Sequence, residues 1–209
     1  KVRYRHKTGH RQLFTKLSYD IVRDFAPISM VSETPPVLVV HPSVPAKSVK
    51  ELIAYAKENP GKLNYGTSGP GTPPHLETDL FNSMAGIRMT HVPYIGSGQY
   101  IMAQLANEIQ VSFTSIVTII PHSKTGRLRL LASGGAKRSQ VIPDTPTIAE
   151  AGLPGFEIVL YNGVLAPANL PGEILTRLNA EIVKAVNSAE VTAYYKTISA
   201  DAMTSTPGE

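Results

Sequence analysis

The chain has 209 residues, 42% hydrophobic and only 17% charged, which suits one large core or two small ones and argues against global disorder. It has no cysteine, which excludes a disulfide framework, a thiolate zinc site and a cysteine nucleophile, and no apolar run approaches the ~18 residues that cross a bilayer. The net charge of +4 is local: Lys1, Arg3, Arg5, Lys7, Arg11 and Lys16 supply six of the 20 Lys and Arg, and the remaining 14 face 16 acidic residues, so the body is slightly acidic and a nucleic-acid partner is not expected.

Residues 1–16 form this basic head, with no helical periodicity and no apolar stretch behind it, so no signal peptide is expected within the sequence. From about residue 37 short strands alternate with helices. Val37–Val40 is a β-branched apolar run. Ser48 and Glu51 form a capping box, in which each side chain satisfies an amide at the start of a helix. Val49, Leu52, Ile53 and Ala56 then recur at helical spacing, and Asn59-Pro60-Gly61 ends that helix. Leu63–Tyr65 reads as a strand and Gly66–Thr72 as a glycine-rich loop. Thr72-Pro73-Pro74 opens the next helix, since proline is tolerated where an amide would be unpaired anyway. Its buried face is expected to be Leu76, Leu80, Phe81 and Met84.

The pattern continues with a strand at Met89–Val92, a loop at Tyr94–Gly98 and a helix at Gln99–Ala106. A strand at Ile109–Phe113 leads through Thr114-Ser115 into a helix ending at Gly126. Leu128–Ala132 is another strand, and Pro143, Pro146 and Pro154 punctuate an irregular stretch. Glu157–Leu160 and Val164–Leu165 read as strands joined through Asn162-Gly163. The long helix over Pro171–Asn187 has Ile174, Leu175, Leu178, Ile182 and Val186 on one face, and a last helix runs from about Ala189 to Ile198.

Such alternation implies βαβ units, an α/β fold and a mostly parallel sheet, with ligands expected where strand carboxyl ends meet helix N-termini. Gly66–Thr72, Tyr94–Gly98 and Thr114-Ser115 fall there. They offer backbone amides and the hydroxyls of Thr67, Ser68, Thr72, Ser97, Thr114 and Ser115, and free amides at a helix start favour an anion. Gly66 and Gly71 have P-loop spacing, but Thr72 stands where the lysine is needed. Gly69-x-Gly71-x-x-Pro74 lacks the third glycine of a dinucleotide fingerprint, and Pro70 spoils a nucleophile elbow. A neutral, amide-rich pocket suits a carboxylate better than a triphosphate. The same glycines and serines also serve as plain turns.

Several short motifs occur together. Tyr19-Asp20 and Asp24-Phe25-Ala26-Pro27 precede Val37-Leu38-Val39-Val40. Pro42-Ser43-Val44-Pro45-Ala46-Lys47 and Pro60-Gly61-Lys62-Leu63-Asn64-Tyr65 flank the first helix. The Ser68–Thr72 loop with His75-Leu76 follows, then His91-Val92-Pro93-Tyr94 with Gly96-Ser97. Later come Lys137-Arg138-Ser139, Pro143-Asp144-Thr145-Pro146-Thr147, Glu150-Ala151-Gly152 and Ala166-Pro167. In this order and spacing, over residues 17–209, the chain closely resembles the substrate-binding proteins of tripartite tricarboxylate transporters, the Bug-type family.

The resemblance implies a type II periplasmic binding protein-like fold, two α/β lobes around a ligand cleft. Lobe 1 would comprise 17–40 and 163–209, and lobe 2 would comprise 41–162. It implies an extracytoplasmic, periplasmic receptor, a monomer, that binds a small organic carboxylate (a di- or tricarboxylate or an aromatic carboxylate) and presents it to membrane permease subunits. It carries the ligand contacts onto Ser68, Gly69, Gly71, Thr72, Gly96, Ser97, Thr114, Ser115 and the segment around Asn162. Three departures stand out. The family's signal peptide, first strand and first glycine-rich loop are absent here, and residues 1–16 do not resemble it. Thr114 replaces the family's aspartate, which argues against an amino-acid ligand. The sequence stops at Glu209, where a closing helix is usual, so truncation at both ends is expected.

No cofactor, metal or catalytic group is expected. His91 and His122 lack partners at metal-ligand spacing, and no nucleophile–base pair is visible. His75 is expected to play a structural role, such as bonding a neighbouring carbonyl, rather than to touch the ligand; Tyr94 and Tyr161 are expected to pack in the core, and Arg127, Arg129 and Lys137 to form a solvated face. The alternatives are a carboxylate-sensing module for a signalling partner and a fragment without function.

Overall fold

A computed structural model describes residues 20–198 and 200–208, so the basic head lies outside the described residues. In chain order the elements are β1 (Phe25–Thr34), β2 (Val37–Val40), α1 (Val49–Glu58), β3 (Asn64–Thr67), α2 (Pro73–Ala85), β4 (Thr90–Pro93), α3 (Ser97–Leu105), β5 (Val111–Thr114), α4 (Ile116–Lys124), β6 (Arg129–Ser133), α5 (Ile148–Ala151), β7 (Leu160–Pro167), α6 (Gly172–Val186), α7 (Ala189–Thr197) and β8 (Asp201–Ala202). One sheet has the order β4-β3-β5-β2-β6 and the other β7-β1-β8.

A strand that is apolar at every position needs neighbours on both edges and cover on both faces. β2 has both: its four residues are fully buried, between β5 and β6. Leu38 and Val40 point into one core with Phe81, Phe113 and Phe156, and Val37 and Val39 point into the other with Tyr100, Ile116 and Ile119. This is the period-two alternation of a strand sandwiched between helical layers. The three phenylalanine rings meet at centroid distances of 6.0–6.1 Å.

The placement of β2 shows where the chain passes between the sheets. The whole strand belongs to the five-stranded sheet, so the chain passes from one sheet to the other at Pro35-Pro36. The return comes before residue 160, since Leu160 already pairs with Thr34. The sheet is also less parallel than expected. β3 runs parallel to β4 and β5, but β2 enters from the other sheet and runs antiparallel to β5 and β6. The second sheet is antiparallel throughout.

Asn162-Gly163 is not a turn. Both residues lie inside β7, opposite Ser32 and Met30 of the ten-residue β1. A long partner in register overrides the local turn preference of Asn-Gly. β1 itself, with mixed burial and an internal proline, has no strand signature in the sequence.

Ser48 caps α1 as expected by accepting Glu51 N–H (3.2 Å), but the Glu51 carboxylate reaches one residue further back, to Lys47 N–H (2.8 Å). The full capping box belongs to Thr147 and Glu150 at α5. α2 buries Glu77, Thr78, Phe81 and Ala85, while Leu76, Leu80 and Met84 are exposed. On α6 only Val186 is buried, with Ile174 and Leu178 exposed. Arg129 is half-buried and donates from Nη1 to the carbonyls of Val44 (3.1 Å) and Ala46 (2.7 Å), so it stitches the chain after β2 to β6 and is not part of a solvated face.

Candidate ligand-binding site

Because β3, β4 and β5 run in the same direction, their carboxyl ends share one edge, and each releases a short loop into a helix. The three loops expected from the sequence are thus brought together. Tyr94 N–H donates to Thr67 O (2.9 Å) and ties the second loop to the first. Gly66 and Thr67, expected in the loop, are the last residues of β3. Gly66 is needed for close approach, because a Cβ there would collide with Ile109 Cδ1 and sit 2.9 Å from Tyr100 Cβ.

The first loop uses most of its donors on itself. Gly69 N–H donates to Thr67 Oγ1 (3.1 Å), Thr72 N–H to Gly69 O (3.3 Å), and Gly71 N–H to His75 Nδ1 (3.3 Å). The Thr72 hydroxyl donates to Gly69 O (2.6 Å) and does not cap α2. Pro73 and Pro74 bring no amide, and His75 N–H turns back to Thr72 O (2.9 Å). Gly69 (φ +117°) and Gly71 (φ +76°) take the left-handed backbone region that lets the loop fold back. His75 has the structural role expected of it, through a loop amide that its ring accepts and not through a carbonyl.

Donors that remain for a ligand are therefore concentrated at α3 and α4. Gly96 and Ser115 are their N-caps, without a side-chain cap bond at either, and the first amides of a helix have no partner within it. The Ser68, Ser97 and Ser115 side chains form no hydrogen bond to described protein groups, so each can turn to a ligand. Thr114 is buried at the edge of β5, beside the Tyr100 phenol, which donates to Phe113 O (3.2 Å). Burial above all raises the Tyr100 pKa; Thr114 opposes the rise and Glu77 adds to it. No lysine or arginine belongs to any of the three loops.

Asn162 stands apart from this cluster. It lies on the three-stranded sheet, and its Nδ2 donates to Ser32 Oγ (3.2 Å). Ser32 precedes Val37 by five residues, and Val37 pairs with Thr114.

The passage between the sheets at Pro35-Pro36 was not legible in the sequence. Gly134, just after β6, donates its N–H to Pro36 O (2.8 Å) and accepts Ile158 N–H (2.8 Å). It therefore clasps both connections between the sheets. A Cβ on Gly134 would lie 2.9 Å from Ile158 Cγ2 and 3.2 Å from Pro36 Cγ.

Under the first loop lies a second feature that spacing did not reveal. The imidazoles of His75 and His91 face each other with centroids 4.4 Å apart. His91 Nε2 is 2.6 Å from Thr67 Oγ1, the separation of a nucleophile and its base. Thr67 is fully buried and already accepts the Gly69 amide, so the pair is part of what holds the loop.

Comparison with known proteins fits this geometry. A family model described as tripartite tricarboxylate transporter family receptor matches residues 4–206, taking in most of the head that the sequence set apart. A Pseudomonas sp. protein from the tcbD-tcbE intergenic region is 36% identical over 182 residues, covering 87% of this chain and 54% of its own length. An R. palustris protein solved with adipate superimposes with a TM-score of 0.83 at 35% identity, covering 91% of this chain and 64% of that one. MatC from Rhodopseudomonas palustris, solved with bound malate, gives a TM-score of 0.76 at 29% identity, covering 90% and 64%. The chain thus spans little more than half the length of the first and under two thirds of the others. The expected fold class holds: two α/β units of the type II periplasmic binding protein kind. By its sequence and its fold, this chain belongs to the tripartite tricarboxylate transporter receptor family.

Proposed function

We propose that the chain is the ligand-binding part of a periplasmic solute receptor that captures a small organic carboxylate, performs no chemistry on it, and hands it to the membrane permease of a tripartite transporter. The carrying observation is the shared edge of β3, β4 and β5, where α3 and α4 begin without side-chain caps and Ser68, Ser97 and Ser115 lie in or beside three loops that contain no basic side chain. Such a site favours an anion through fixed dipoles, and it discriminates by shape and by the polar groups a wrong ligand leaves unpaired. Relatives solved with adipate and malate support a dicarboxylate. Closure of the two α/β units would complete the site, with Asn162 as a contact from the second unit.

The test is thermal unfolding with a panel of mono-, di- and tricarboxylates, adipate and malate first. A ligand at about 100 times its Kd stabilises the native state by about 2.7 kcal/mol, a shift of several degrees. Ser68→Ala and Ser97→Ala are each expected to weaken binding by about 1 kcal/mol. A cooperatively melting protein that responds to no carboxylate, or variants that bind as tightly as the parent, would place the ligand elsewhere.

A further inference from the structure

The donors at the shared edge of β3, β4 and β5 stand beside apolar side chains. Ile95, in the loop between β4 and α3, has 90% of its surface exposed. Val117, in the first turn of α4 and two residues beyond Ser115, is 42% exposed. An apolar residue in the position of Ile95, just before a helix N-cap, often packs against the fourth residue of the helix. That residue is Tyr100. But Tyr100 is buried on the sheet side, so close to Gly66 that a Cβ there would lie 2.9 Å from its own, and its phenol donates to Phe113 O (3.2 Å). Ile95 is left facing solvent.

The loop holds it there. Tyr94 N–H donates to Thr67 O (2.9 Å), Ile95 N–H to Gln99 Oε1 (3.2 Å), and Gln99 N–H to Gly96 O (3.2 Å), so the backbone is tied before, at and after Ile95. The space beside it is open: a Cβ on Gly96 or Gly98 would meet nothing within 4 Å. Gly96 is extended (φ −168°) and Gly98 lies in the first turn of α3, so neither needs the left-handed backbone that favours glycine. Bare backbone next to an exposed isoleucine offers another molecule a polar and an apolar surface together. Few groups at this edge remain for a ligand hydroxyl. The hydroxyls of Thr67 and Thr72 are engaged inside the first loop, and Thr114 is buried. Ser97 and Ser115 stand at the helix starts, where a carboxylate is favoured. Methylenes laid against Ile95 gain by leaving water, whereas a hydroxyl placed there loses its water partners and finds no replacement.

We propose that Ile95 is a specificity-determining residue of this site: its side chain lies against the carbon chain of the bound acid, so the receptor takes dicarboxylates with a plain hydrocarbon chain in preference to hydroxylated ones. This rests on the reading of the edge as a carboxylate site.

Calorimetry on matched acids tests it: succinate against malate, and glutarate against its hydroxy derivative, the members of each pair differing by one hydroxyl. The plain acid is expected to bind about tenfold tighter, the usual result of leaving one hydroxyl unpaired. Ile95→Ser is expected to bring the two within about twofold, chiefly by weakening the plain acid. Ile95→Val is expected to keep the preference, and neither change to move the melting temperature, since the side chain is exposed. A role in docking another protein would leave the ratio within each pair untouched by either change. A parent protein that binds both members of a pair equally or prefers the hydroxylated one, or an Ile95→Ser protein that keeps the parent's ratio, would overturn the proposal and leave the receptor reading intact. A chain that binds no carboxylate at all would overturn both.

Discussion

Glu77 lies in the second turn of α2 with 1% of its surface exposed and no donor on Oε1. Burial alone pushes its pKa from the ordinary 4.5 up to about 7, because a carboxylate without compensating hydrogen bonds is costly to desolvate. The folded pKa is raised, so the carboxyl destabilises the fold least when protonated. Its contribution is fully present below about pH 4.5 and is lost as pH rises through about 7. Glu77→Gln is therefore expected to stabilise the protein at about pH 8 by up to about 3 kcal/mol and to change little near pH 4. Urea unfolding at the two pH values measures this, and an equal effect at both would rule out titration as the cause. Nothing around Glu77 in the sequence marks it as buried. Position 77 shares the helix face of Phe81, one turn away, and only the sheet beneath α2 reveals which face that is.

Among the elements, α2 shows how an amphipathic pattern can point to the wrong stripe. Leu76, Leu80 and Met84 sit one above another at four-residue spacing, yet Phe81 pivots the helix so that Glu77, Thr78 and Ala85 meet the sheet. Thr78 is satisfied by donating to Pro74 O (2.7 Å). The connections between the sheets depend on contacts equally far apart in sequence. Gly134 bonds both Pro36 and Ile158, and a methyl group there would press on each. Gly134→Ala is expected to cost about 1–3 kcal/mol, the usual result of overpacking. Gly61→Ala is the useful comparison, since space is open around it and its cost comes from its positive φ (+75°) alone. Thermal or urea unfolding gives both values, and a Gly134→Ala protein as stable as the parent would remove the clasp.

At the scale of the whole molecule, the two sheets have unequal support among the described residues. Both apolar clusters surround the five-stranded sheet. The three-stranded sheet buries Ile28 and Ala166, and relies on polar ties such as Asn179 Nδ2 donating to the carbonyls of Ile28 and Ser205 at 2.8 Å each. Local opening follows the density of buried apolar contacts. Amide exchange in β1 and β7 is therefore expected to be faster than in β2 and β5 by about tenfold or more. Equal protection in the two sheets would mean that they unfold as one unit.

Sequence alone determined what depends on near neighbours: the alternation of strands and helices, the Ser48 cap, the breaks at glycine and proline, and three small polar loops, each before a helix. Parallel strands then place Ser68–Thr72, Gly96-Ser97 and Thr114-Ser115 at one edge, as expected. Only the tertiary structure decided what depends on partners distant in the chain. It seated Val37–Val40 in the five-stranded sheet, drew Asn162 into a strand opposite β1, buried Glu77, and brought His75 against His91 across sixteen residues. The physical reason is the range of the forces involved. Capping, turn geometry and helical spacing act within a few residues, whereas strand register and ring stacking are settled by surfaces that meet only once the chain has folded.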